Sequence, residues 1–191
     1  AEEIAKISGN YILTSKKHKT GTDRIYEAYE KIKKKITCNY IINLQGDEPF
    51  INPKDITNLN NNVIKSNSDI GTLATMITKD DFSDKNIVKV ITENNIQKKK
   101  LSKAKKFLRY CKDVNKKNIY GHIGIYQYKV SVLKNFINFS QTKNELKYKL
   151  EQLRAIENDV NIDVIYTKNK SIGIDTVEDY VEIKKIMEYK I

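Results

Sequence analysis

Two stretches of the sequence set carboxylates where apolar segments stop. In "YIINLQGDEPFI" the apolar run 40–44 ends at Gln45, and Gly46, Asp47, Glu48 and Pro49 follow. In "GIDTVEDY" one aspartate, Asp175, stands between an apolar approach and a helix start. In an open α/β sheet, ligands gather at the carboxyl ends of the strands. A carboxylate there is a hard oxygen ligand suited to Mg²⁺ carrying phosphates, and a neighbouring glycine lets a ligand approach the backbone. Both stretches also suit structural work. Gly46-Asp47 reads as a tight turn whose aspartate stabilises the next segment, and Asp175 as a loop residue beside a helix cap. The local pattern leaves the two readings open.

The elements that would position these carboxylates alternate strand and helix, which predicts an α/β class. A short strand at 11–15, "YILTS", precedes a polar loop. The helix after it repeats Ile25, Ala28, Tyr29, Ile32 and Ile36 at helical spacing. "CNYIINL" is a continuous apolar strand of the kind buried on both faces of a parallel sheet. Asn52, Pro53 and Asp55 open the next helix as cap, first-turn proline and dipole-matched acid. "IGTLATMIT" is a second buried strand, and "NIVKVITENNIQKKKLS" predicts a hairpin turning at Asn94-Asn95. "GHIGIYQY" is a strand whose period puts His122 and Tyr126 on one face. A helix through Val130, Leu133 and Ile137 follows it. "TKNELKYKLEQLRAIEND" predicts one helix, capped by Thr142 and Glu145, with Leu146, Leu150, Leu153 and Ile156 on one side. "IDVIYT" forms a strand, and a helix capped by Thr176 and Asp179 ends the chain.

A length of 191 residues suits a single domain over 1–191. Lys and Arg number 35 against 24 Asp and Glu, a net charge of +11. Only Arg24, Arg109 and Arg154 are arginines. Nucleic-acid recognition favours the bidentate arginine fork, so no nucleic-acid partner is expected. The abundance of Lys, Ile, Asn and Tyr fits an A/T-rich coding sequence instead. No apolar run approaches the ~18 residues of a membrane span, and no signal pattern opens the chain. Cys38 and Cys111 form no CxxC, which argues against a disulfide framework or a zinc site. A cytoplasmic setting without membrane attachment is expected. "AEEIAKISGN" reads as the end of a helix stopped at Gly9-Asn10.

Six segments together resemble one family. "GTDR", "NLQGDEPFI", "NIVKV", "GHIGIYQY", "LEQLR" and "GIDTVEDY" stand in the order and spacing of the 3-deoxy-manno-octulosonate (KDO) cytidylyltransferases. The resemblance implies a Rossmann-like, GT-A-like nucleotidyltransferase sheet with flanking helices and an inserted β-hairpin. It implies a reaction of CTP with KDO, giving CMP-KDO and pyrophosphate for lipopolysaccharide assembly, with Mg²⁺ as cofactor and a homodimer as the working unit. Carried over by residue, Asp47 and Asp175 would be the catalytic metal ligands. Thr20 and Gly21 would lie near the nucleotide, Arg24 would support their loop, and Gln45 would line the nucleotide and sugar site. His122, Tyr126, Glu151 and Gln152 would contact the sugar. The implied dimer leads to an expectation that Phe107, Tyr110 or Tyr120 is exposed in the isolated chain.

Two departures accompany the resemblance. The family's first strand, with its basic glycine-containing triphosphate loop and the helix after it, has no counterpart in the sequence. The expected fold therefore lacks its first βαβ unit, and this chain alone is expected to be poorly soluble and inactive. Where the family has a Ser-Arg pair, the sequence reads Ser102-Lys103. Two other readings remain: a cytidylyltransferase for another ulosonic, sialic-acid-like sugar, and a non-catalytic sugar- or nucleotide-binding module.

Overall fold

Along each long strand, apolar residues alternate between two faces, and both faces are covered by helices. The computed structural model describes residues 11–113, 115–171, 173–174 and 176–188. Its strands are β1 (Tyr40–Leu44), β2 (Ile70–Thr75), β3 (Lys89–Thr92), β4 (Leu101–Leu108), β5 (Ile119–Lys129) and β6 (Ile162–Tyr166). Its helices are α1 (Gly21–Ile32), α2 (Pro53–Ser66), the single turn α3 (Ile96–Lys99), α4 (Val130–Phe136), α5 (Lys143–Tyr148), α6 (Gln152–Glu157) and α7 (Val177–Glu188). The strands form one mixed sheet in the order β1-β5-β2-β6-β4-β3, and β3 also pairs with the start of β5.

One face of the sheet carries Ile70, Ala74, Tyr126, Tyr128, Ile162 and Val164, packed on Leu133 and Phe136 of α4 and Leu153 of α6. The opposite face carries Leu73, Ile123, Ile125 and Ile165, packed on Leu59 and Val63 of α2. Helix α2 lies so close that a Cβ on Gly71 would sit 2.1 Å from Val63 Cγ2. Glycine is the residue that fits there.

Several expectations need correction. Among the described strands only β2 and β6 pair in parallel; β1–β5, β2–β5, β3–β4, β3–β5 and β4–β6 are antiparallel. Among the described strands β1 pairs only with β5, at the edge, and of its residues only Asn43 is buried. A continuous apolar run reports that both faces are partly covered, not the direction of the neighbouring strand. Residues 11–15 form no strand. Arg24 Nη1 donates to Thr14 Oγ1 at 2.7 Å and to Ser15 O at 3.3 Å, and Lys31 Nζ donates to Leu13 O at 2.7 Å. Side chains of α1 thus take the place of a strand partner. The hairpin forms between β3 and β4, but its connection contains α3, whose cap Asn95 accepts from Lys98 N–H at 3.1 Å. The helix expected over 142–156 is two helices. The chain turns left-handed at Lys149, with φ 52°, and leaves Leu146 exposed beyond the break. The helix end expected before residue 10 lies outside the described residues.

The caps form as expected. Asn52 accepts from Lys54 N–H at 2.9 Å ahead of Pro53. Thr142 and Glu145 make a reciprocal capping box, as do Thr176 and Asp179.

Candidate active site

Strands β1, β2 and β6 run in one direction, and a cleft of about 550 Å³ opens where their carboxyl ends meet. Gln45, Asp47, His122, Tyr126, Glu151 and Gln152 all line it. The turn after β1 supplies Gln45 and Asp47, β5 supplies His122 and Tyr126, and the break between α5 and α6 supplies Glu151 and Gln152.

The two adjacent carboxylates at the end of β1 have different jobs. Glu48 is a brace: Oε1 accepts from Gly124 N–H at 3.2 Å and Oε2 accepts from the Ser171 hydroxyl. Gly124 N–H faces the β1 side of β5, just past the last β1 pair Leu44↔Ile125, and on the other side of β5 the β2 register jumps from Thr72↔Tyr126 to Leu73↔Ile123. Gly124 and Ile125 form the resulting bulge, a feature that recurs beside active sites. Asp47 faces the cleft, and its carbonyl accepts from Ile174 N–H at 2.8 Å. The 173–174 segment therefore lies against the turn that carries Asp47. Asp175 itself lies outside the described residues. Among the described residues no group of three or more His, Cys, Asp or Glu side chains is placed to hold a metal. One strand-end carboxylate, with room for phosphate and water oxygens, still fits Mg²⁺, which is commonly held by one or two carboxylates.

An aromatic row forms one cleft wall. Phe107 meets the His122 ring edge-on at 5.3 Å and 90°, Tyr126 lies 5.3 Å beyond His122, and Tyr128 follows at 5.9 Å. His122 keeps some solvent contact through the cleft and is otherwise enclosed. Burial lowers its pKa from 6.5 to about 3, so the ring is neutral. Burial also pushes the Tyr126 hydroxyl well up, with Tyr128 and Glu151 adding to the effect, so it stays protonated. Burial raises the Glu151 carboxyl too, against the opposing pull of Thr20, Thr22 and Arg154. Its Oε1 is buried without a hydrogen-bond partner.

The neutral His122 ties stability to pH. In the unfolded chain a histidine takes up its proton near pH 6.5, while in the fold it does so only near pH 3. Between those values the unfolded state holds more protons, so stability falls as pH falls, by at most about 1.4 kcal/mol per unit. We expect the urea midpoint to drop between pH 7 and pH 5 in the parent, and to drop less in His122→Gln. Equal slopes would contradict a desolvated ring.

Thr20, Gly21 and Arg24 do not line the cleft. Thr20 caps α1, accepting from Asp23 N–H at 3.2 Å, and reaches the cleft only through Glu151. Gly21 packs against Asn43, and Arg24 holds residues 14–15. Lys103 is exposed on β4 opposite Asp163 and lies away from the cleft. The guanidinium that does line it is Arg109, just past β4, which sequence reasoning missed. Arg109 donates to Tyr148 O, Lys85 O and Lys149 O at 3.0, 3.2 and 3.1 Å, all neutral acceptors. Buried Lys89 braces the same wall, donating to the carbonyls of Asp84, Ile87 and Arg109, with burial lowering its pKa. Of the three aromatics among which an exposed one is expected, Tyr110 is 45% exposed, while Phe107 and Tyr120 are buried. Among the described residues no helix is long and apolar enough to cross a membrane.

A mixed sheet under helices, with a polar cleft at the carboxyl ends of its central strands, is the build of a nucleotidyltransferase domain. The cytidylyltransferase family matches residues 1–171. The 3-deoxy-manno-octulosonate cytidylyltransferase of Thermodesulfovibrio yellowstonii is 41% identical, over 96% of this chain and 76% of that protein. The protein of the same name from Bartonella tribocorum is 36% identical, over 98% and 76%. The chain belongs to the 3-deoxy-manno-octulosonate cytidylyltransferase family. A solved structure of CMP:2-keto-3-deoxy-manno-octonic acid synthetase complexed with CTP superposes with a TM-score of 0.86 at 27% identity, covering 100% of this chain and 77% of that one. Apo-UDP-glucose pyrophosphorylase, at 14% identity and a TM-score of 0.67, shares the fold.

Proposed function

We propose that the protein transfers the cytidylyl group of CTP to KDO, releasing pyrophosphate. The observation that carries this reading is the single cleft in which Asp47 faces His122, Tyr126, Glu151 and Gln152. A sugar hydroxyl attacks the α-phosphate and pyrophosphate leaves. Asp47 and Asp175 would hold Mg²⁺, which when bound would screen the triphosphate charge. Gln45 borders the nucleotide, and Thr20, from outside the cleft, holds Glu151. Tyr126 offers a hydroxyl that stays protonated, and Glu151 borders the cleft as an acceptor for a sugar hydroxyl. Gln152 supplies both donor and acceptor. The sugar's carboxylate needs a cation, and Arg109 and Lys149 stand on the cleft wall for it. The working form is a homodimer in the cytoplasm, with exposed Tyr110 at the contact.

The test is pyrophosphate release from CTP and Mg²⁺, with KDO and with neuraminic-type acids in competition, using protein expressed from the complete reading frame. KDO should be preferred at least tenfold in kcat/KM. Preference for a neuraminic-type acid would assign a different ulosonic sugar. Saturable sugar binding with no turnover would make the protein a binding module.

A further inference from the structure

We infer that Thr72 is a positioning residue that fixes which nitrogen of His122 carries the proton, and so which hydrogen-bonding role the ring offers to the cleft. Thr72 lies on β2 with no solvent exposure. Its Oγ1 is 2.7 Å from Ile125 O, 3.4 Å from Ile123 O and 2.9 Å from His122 Nε2. A carbonyl can only accept, and a hydroxyl has one proton to give. The short contact to Ile125 O takes that proton, so Oγ1 presents a lone pair to His122. Nε2 must then be the donor. In a neutral imidazole this leaves Nδ1 as the acceptor.

The arrangement follows from the strand irregularity. The bulge at Gly124–Ile125 frees backbone groups that a regular β2–β5 ladder would pair. The Thr72 hydroxyl takes Ile125 O. Phe107 and Tyr126 pin the ring from two sides. Among the described residues Nδ1 has no hydrogen-bond partner, which leaves it for a group entering the cleft. The group it fits is a hydroxyl that donates, as on a polyol. A carboxylate is an acceptor and would face another acceptor there. This last step rests on the sugar-binding reading proposed above; the assignment of the proton does not.

The test is ring ¹⁵N NMR, which is simple here because the chain has two histidines. Long-range ¹H–¹⁵N spectra of the parent should show His122 as the Nε2–H tautomer. Thr72→Val, which removes the acceptor at nearly constant shape, should produce a mixed or Nδ1–H ring. The same variant should raise the KM for the sugar acid about tenfold and leave the KM for CTP within about twofold, the size expected for one misplaced hydrogen bond of roughly 1.4 kcal/mol. Thr72→Ser should restore both. An Nδ1–H ring in the parent would overturn the inference, and that measurement needs no variant to fold. An unchanged tautomer in Thr72→Val would also overturn it. The expected tautomers in a protein that binds no sugar acid would uphold the role of Thr72 and reject the proposed function instead.

Discussion

Replacing Asp47 by asparagine should slow cytidylyl transfer by about 10²–10⁴-fold, while stability stays within about 0.5 kcal/mol of the parent. Asparagine keeps the shape and removes the charge that a hard cation requires. The Asp47 side chain braces nothing among the described residues; its contribution to the fold is its carbonyl, which asparagine retains. Glu48→Gln makes the contrast. Its carboxylate accepts from Gly124 N–H and the Ser171 hydroxyl, and weakening those bonds should cost about 1–2 kcal/mol. Adjacent residues should therefore separate, one losing rate and the other losing stability. Pyrophosphate release and urea unfolding on both variants measure this. Turnover within tenfold of the parent in Asp47→Asn would remove Asp47 from the metal site.

Arg154→Leu should destabilise the fold by about 3–5 kcal/mol, the usual cost of leaving one member of a buried ion pair alone. Arg154 and Glu145 are 3% and 4% exposed. Arg154 Nε donates to Glu145 Oε2 at 2.8 Å, Nη2 donates to Oε1, and the guanidinium lies 4.8 Å over the Phe136 ring. Burial raises the Glu145 carboxyl, but hydrogen bonds from Arg154, Gln141 and the Thr142 backbone outweigh it and hold the pKa below 4.5. Its stabilising contribution is thus present above about pH 4.5 and is lost as pH falls through the lower folded value. Replacing both residues by leucine removes the lone charge and should recover most of the loss. A loss in the double variant equal to the sum of the two single-variant losses would show that the two side chains are not coupled. The pair also spans the break that carries Glu151 and Gln152, so sugar binding should weaken along with stability.

Helix starts were legible because caps are local chemistry. Asn52 with Pro53, Thr142 with Glu145 and Thr176 with Asp179 each declare themselves within four residues. Strand direction was not legible in "YIINL", since a covered strand looks the same beside a parallel or an antiparallel partner. The break at Lys149 carries no glycine or asparagine to announce it, although it is what brings Glu151 and Gln152 to the cleft. Arg109 is not legible in the sequence for a related reason: only the path of β4 shows which cation reaches the wall. Thr72 reads as an ordinary strand residue until the bulge places Ile125 O beside it.

That bulge constrains how the length of β5 can vary. The register jumps by two between Thr72↔Tyr126 and Leu73↔Ile123, so His122 and Tyr126 keep the same orientation on either side of it. A deletion of one residue between them would swing the strand before it through half a pleat, turning His122 toward α2 and Ile123 toward the aromatic row. Removing two residues would keep His122 on the cleft side and dispense with Thr72 as the partner of the freed backbone. Relatives of this chain that differ in length within β5 should therefore differ by even numbers of residues.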